Sequence, residues 1–223
     1  MQKATAFWTA VAAALGAACV APPRQESPPL VTSGVADTIP APPAPPPPGL
    51  AAQGTTRAAG TLSWEEMSVR MVGRETSAGL RIDVTTLSDD ALSVAAPDIR
   101  AYLEDLKSRI PESGVSETEA RELTSFLVGY TGFEKEVSFD PTLLLIQSEG
   151  STYYPRTIVP LSTDFDRRVV DLYKTVYGIY LFDPGIDLAA TLDFRYGELT
   201  SGTAWRGLVQ RIQRAQARIE SQR

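Results

Sequence analysis

Eleven of the seventeen prolines fall between residues 22 and 48, ending in the run "PAPPAPPPP" (40–48). Proline fixes φ and donates no backbone hydrogen bond, so such a stretch can be neither a helix interior nor a central strand. With few large apolar side chains it also cannot bury enough surface to offset its chain entropy. Residues 21–60 are therefore predicted to be a tether that favours polyproline II. These forty residues reach about 120 Å if stiff and about 35 Å as a flexible coil. A second reading makes "PAPPAPPPP" a docking motif for a proline-recognition domain. Residues 61–223 remain to fold, a length suited to one domain with one core.

Composition narrows the chemistry open to that domain. The chain has no histidine and one cysteine. Without histidine, Ser-His-Asp and Cys-His arrangements cannot form, and the side chain that titrates nearest neutral pH is missing. The usual zinc sets fail for the same reason. Carboxylate chemistry survives, as a calcium or magnesium site or as a two-acid glycosidase. One cysteine cannot close an internal disulfide. A net charge of −6 and a pI near 4.8 argue against a nucleic-acid partner, because phosphate binding needs a basic excess.

The N-terminus reads "MQKATAFWTAVAAALGAAC". One lysine precedes an apolar run from Ala4 to Leu15, and small residues lead from Gly16 to Cys19. The run is short for a membrane span of about 20 residues and fits a signal peptide over 1–18. An ordinary signal-peptidase cut after Ala21 would put Pro22 at the first position of the product, a poor site. The segment "LGAAC" resembles the lipobox of bacterial lipoproteins, with Leu15 one position further from the cysteine than in the commonest form. The resemblance implies acylation of Cys19, which would anchor the chain in a membrane through its buried CH₂ groups. Val20, which is not an aspartate, implies by resemblance to Gram-negative lipoproteins a place in the outer membrane facing the periplasm. Residues 19–60 then form the acylated cysteine and its tether.

Patterning in 61–223 alternates between two periods. "MSVRMVGR" (67–74) and "LRIDVTTL" (80–87) repeat every second residue and read as antiparallel strands with one buried face. After Pro97 the apolar positions Ile99, Tyr102, Leu103, Leu106 and Ile110 follow helical spacing. "SETE" (116–119) is a capping box, and Ala120, Leu123, Phe126 and Leu127 continue as a second stripe. A helical pair is thus expected over about 98–130. Strands are expected again at "FEKEVSF" (133–139), "LLLIQS" (143–148), "TYYP" (152–155), "VVDLYK" (169–174), "VYGIYLF" (176–182) and "LAATLDFRY" (188–196). Trp205, Leu208, Ile212, Ala215 and Ile219 mark a C-terminal helix over 203–221, expected to dock its apolar stripe and turn its arginines to solvent. The fold class expected is mainly β: an antiparallel sandwich with an inserted helical pair and a C-terminal helix. The ending "YLFDPGIDLAATLDFRYG" resembles the last hairpin of small immunoglobulin-like domains in bacterial envelope lipoproteins.

No residue set stands out for catalysis, cofactor binding or metal binding. The acid pairs Glu65–Glu66, Asp89–Asp90, Asp164–Asp166 and Asp183–Asp187 are of a kind common in surface turns. "DPGID" offers too few oxygen ligands for a calcium loop. Six of eight tyrosines lie between 153 and 196, as core margin or as a sugar- or peptide-binding face. The candidate partner surface is Tyr153, Tyr154, Arg211 and Arg214. The function expected is that of a membrane-anchored, non-enzymatic envelope module that binds an envelope protein or peptidoglycan. The alternatives are an accessory subunit of an envelope secretion or assembly complex and a carboxylate-dependent polysaccharide hydrolase.

Overall fold

The computed structural model describes residues 61–72 and 79–222. The leader, Cys19 and the proline-rich segment lie outside the described residues. The chain is mainly β, with antiparallel sheets and a C-terminal helix.

The larger sheet has five strands: β1 (Ser68–Arg70), β2 (Leu80–Thr86), β3 (Thr124–Gly132), β9 (Thr175–Phe182) and β7 (Thr157–Pro160), in the order β1-β2-β3-β9-β7. Every neighbouring pair in it is antiparallel. The smaller sheet has the order β11-β10-β5-β6, from Leu199–Thr200, Asp193–Tyr196, Leu145–Ser148 and Ser151–Tyr153. A short pair, β4 (Val137–Ser138) with β8 (Val169–Val170), completes the β structure. The two larger sheets meet at a corner. There Val72 and Thr200 exchange both backbone hydrogen bonds, at 2.9 and 3.0 Å.

Side chains meet between the sheets. Phe126 of β3 stands edge-on to Phe194 of β10 at 5.1 Å between ring centres, and Tyr130 faces Tyr196 at 5.9 Å. Trp205 closes this cluster from α6 (Ala204–Glu220), touching both Phe126 and Phe194. The opposite face of β3 and β9 is covered by α1 (Trp64–Met67) and α3 (Pro97–Ser108), through Trp64 and Tyr102. The remaining helices are short: α2 (Asp89–Val94), α4 (Glu117–Glu122) and α5 (Thr163–Asp166).

Several helix ends follow directly from local sequence. Ser88, Ser116 and Ser162 cap α2, α4 and α5, each accepting from the backbone N–H three residues on. "SWEE" is also a cap. The Glu66 carboxylate accepts from the Ser63 backbone N–H at 2.9 Å and from its hydroxyl at 2.8 Å. Helix α6 docks as its stripe predicts, burying Trp205, Leu208, Ile212 and Ala215. Its long packing partners are α2, β1 and α1.

The second member of the expected helical pair is shorter than its stripe. Helix α4 stops at Glu122, Leu123 turns extended (φ −74°, ψ 141°), and 124–132 is the central strand β3. Residues 125–132 are buried throughout, because layers cover both faces of this strand. A strand buried on both sides has no alternation to display, and its apolar run mimics helical spacing. Elsewhere strands are shorter than expected. Only 137–138 of "FEKEVSF", 169–170 of "VVDLYK" and 193–196 of "LAATLDFRY" pair in sheets. Alternating composition persists beyond the ladder in each case, but no neighbouring strand is there to accept it.

Candidate functional site

Two aromatic clusters sit on opposite faces of the five-stranded sheet, and they differ in how their polar tips are treated. In the first, between the sheets, Tyr130 and Tyr180 are wholly buried and share a hydrogen bond of 2.6 Å between hydroxyls. The Tyr180 hydroxyl also donates to the Pro141 carbonyl at 3.0 Å. Tyr196 accepts from the Asp140 backbone N–H at 2.8 Å. The Tyr130 ring stacks on Phe139 at 4.3 Å. Burial pushes all three phenols upward, most strongly Tyr130. Gly178 of β9 lets the Phe165 ring lie where a side chain would stand, since a Cβ there would come within 2.5 Å of the ring. This cluster is satisfied and closed, as a core polar network must be.

The second cluster is Trp64, Tyr102 and Tyr177, all half-buried. Trp64 stands edge-on to Tyr102 at 6.0 Å and to Tyr177 at 6.4 Å. Gly129 makes room for it, because a Cβ there would lie 2.7 Å from the Tyr177 ring. Charged groups rim the cluster. Arg81 and Asp83 act on Tyr177, and Arg109 and Asp105 act on Tyr102. Burial is the main influence raising both phenols, and in Tyr102 the neighbouring Tyr177 adds to it. Among the described residues, no protein group hydrogen-bonds either hydroxyl. A phenol set largely among rings without a partner is an opening for a ligand or for water.

The residues singled out in the sequence do not converge. Tyr153 and Tyr154 lie on and just after the edge strand β6, with Tyr153 half-buried opposite Ile146 and Tyr154 65% exposed. Arg211 is half-buried on α6, and its Nε donates to the Glu66 carbonyl at 2.9 Å, locking the helix to α1. Arg214 is exposed. Cys19 lies outside the described residues.

Several of the acids make contacts within the fold. Asp183 pairs with Arg156, Asp164 with Arg167, and Asp89 with Lys107. Asp187 accepts from the Ala189 backbone. Asp193 is the most heavily used. It accepts from Thr200 Oγ1, from Gly202 N at 2.9 Å and from Arg195 Nε at 2.9 Å, tying β10 to the loop before α6. Burial alone would raise its carboxyl, but these hydrogen bonds together hold it below the usual range. Among the described residues no group of three or more acids or cysteines could hold a metal ion.

Sequence reasoning missed the second cluster because Trp64, Tyr102 and Tyr177 come from three distant segments. The one local signal was "SWEE", whose capping box fixes Trp64 at the first turn of α1. Comparison with protein-family models, curated proteins and solved structures returned no match.

Proposed function

We propose that this protein is an envelope lipoprotein, acylated on Cys19 and tethered by its proline-rich segment, whose domain binds its target and carries out no reaction. The target proposed is peptidoglycan, and the binding face is Trp64, Tyr102 and Tyr177. The observation that carries this reading is the pair of half-buried phenols, Tyr102 and Tyr177, whose hydroxyls have no protein partner among the described residues. Flat ring faces beside free hydroxyls suit a hexose, which has an apolar face and a hydroxyl edge. The tether suits a module that must reach into a polymer mesh from an outer-membrane anchor facing the periplasm. The immunoglobulin-like sandwich belongs to the same proposal, supported by the ring contacts between the two sheets. Two experiments test it. The first measures retention on insoluble peptidoglycan, where Tyr102→Ala with Tyr177→Ala is expected to abolish binding that the wild type shows. Equal retention of both proteins would remove the aromatic face as the site. The second is detergent-phase partition from cells, where Cys19→Ala is expected to move the protein into the aqueous phase.

One observation favours a second reading, an accessory subunit of a secretion or assembly complex. Phe133 and Tyr173 form an exposed edge-on pair at 6.3 Å beside exposed Leu172, and Tyr173 holds a left-handed φ of 56°. Strain at an exposed aromatic is a cost that a protein contact would justify. Crosslinking in cells from position 173 would trap that neighbour.

A further inference from the structure

Thirteen arginines lie among the described residues. Eight of them pair with carboxylates: Arg70, Arg81, Arg109, Arg121, Arg156, Arg167, Arg168 and Arg195. Arg100 and Arg211 donate to backbone carbonyls. Arg206, Arg214 and Arg218 remain, all on α6 and all exposed. Among the described residues none of the three meets a carboxylate. Among the described residues the one polar contact their side chains make is from Arg206 to the Thr191 hydroxyl, at 3.0 Å.

Their spacing puts them together. Positions 206, 210, 214 and 218 follow one another at steps of four, the row that runs along one side of a helix. The row spans about 18 Å at 1.5 Å per residue. It lies across the helix from the docked stripe of Trp205, Leu208, Ile212 and Ala215. The single acid of α6, Glu220, projects about 160° around the helix from Arg218, at 100° per residue. In a chain of net charge −6 this is a segregated cationic face. More distant acids are screened beyond about 8 Å at physiological salt.

We propose that the outward row of α6, Arg206, Arg214 and Arg218, docks on a bilayer surface carrying anionic phospholipid. The inference rests on the lipid-anchor reading, because three cations give only weak binding in free solution. Each basic residue near an anionic bilayer strengthens partition by about fivefold, so three give on the order of 100-fold. A tether of this length holds the domain at a local concentration in the millimolar range, where weak attraction is enough. The domain then alternates between lying on the bilayer and standing off it, and salt shifts the balance toward the second.

The test is co-sedimentation of the full chain carrying Cys19→Ala with vesicles of phosphatidylcholine, with and without phosphatidylglycerol. It compares this protein with the same chain bearing Arg206→Gln, Arg214→Gln and Arg218→Gln. The expected result is a loss on the order of 100-fold on the phosphatidylglycerol vesicles, absent on phosphatidylcholine alone and erased by high salt. Three arginine-to-lysine changes should keep binding within a few-fold, and all variants should melt together because the three side chains are exposed. Equal binding by wild type and the glutamine variant overturns the proposal. So does retention on a heparin column, a soluble polyanion, without any preference for anionic vesicles, which would point to an acidic macromolecule instead. Loss in the lysine variant equal to that in the glutamine variant also overturns it, since it would show a geometry-specific partner. Failure here, with Cys19→Ala still shifting the cellular protein to the aqueous phase, removes only the docking face. Success here without that shift removes only the anchor.

Discussion

The two aromatic clusters flanking the five-stranded sheet share one element, β9, which gives Tyr177 to one and Tyr180 to the other. Tyr177 and Tyr180 are three residues apart on β9, yet Tyr180 points between the sheets and Tyr177 points toward the helices. Strand alternation sends them to opposite faces. On the first face every phenol oxygen has a partner. On the second, two phenols are raised by burial and neither has a protein partner among the described residues. Partial burial without a hydrogen-bond partner is what separates the second cluster from the first. An unsatisfied phenol is costly in a finished core and tolerable where a ligand or water completes it.

The comparison is sharpest where the two faces should respond differently to the same kind of change. The largest effect is expected for Phe126→Ala, which removes the ring that Phe182, Phe194 and Trp205 all touch. Its cost is about 3–5 kcal/mol, read as a lower denaturation midpoint with unchanged slope. Next comes Tyr180→Phe, which strips the Tyr130 hydroxyl and the Pro141 carbonyl of a partner at once. It should cost about 1–3 kcal/mol, and a loss below half a kilocalorie would mean the closed network is not closed.

A pH titration probes both faces together. Tyr102, Tyr130, Tyr177, Tyr180 and Tyr196 are all raised in the folded chain. The unfolded chain therefore ionises first, at the usual value of about 10. Stability from these groups is fully present below that pH and falls as pH rises through the folded values. Thermal melts across the alkaline range should show a decline that is shallower in Tyr180→Phe. The smallest effect is expected for Tyr102→Phe with Tyr177→Phe. Because neither hydroxyl has a protein partner among the described residues, this pair should change stability by no more than about 0.5 kcal/mol. A loss as large as that of Tyr180→Phe would erase the distinction between the faces.

The sequence by itself determined the elements whose signals are local. The serine cap at 116 and the amphipathic stripe of α6 need no remote segment to be read. Each rests on backbone chemistry or helical period within a few residues. The antiparallel character of the sheets was readable from β2, whose apolar residues Leu80, Ile82 and Val84 alternate, but not from β3. Tertiary structure decided that 124–132 is the central strand, because its burial on both faces depends on layers supplied by segments far along the chain. It also decided that Arg211 locks α6 to α1 while Arg214, three residues on, faces solvent. The gathering of Trp64, Tyr102 and Tyr177 is tertiary in the same sense. Their spacing in the chain carries no period, and only the packing of α1 and α3 on β9 puts three rings side by side. A pattern within one segment reports which side of that segment is apolar; which groups lie against it, and which hydroxyls they leave unpaired, is fixed by contacts between segments.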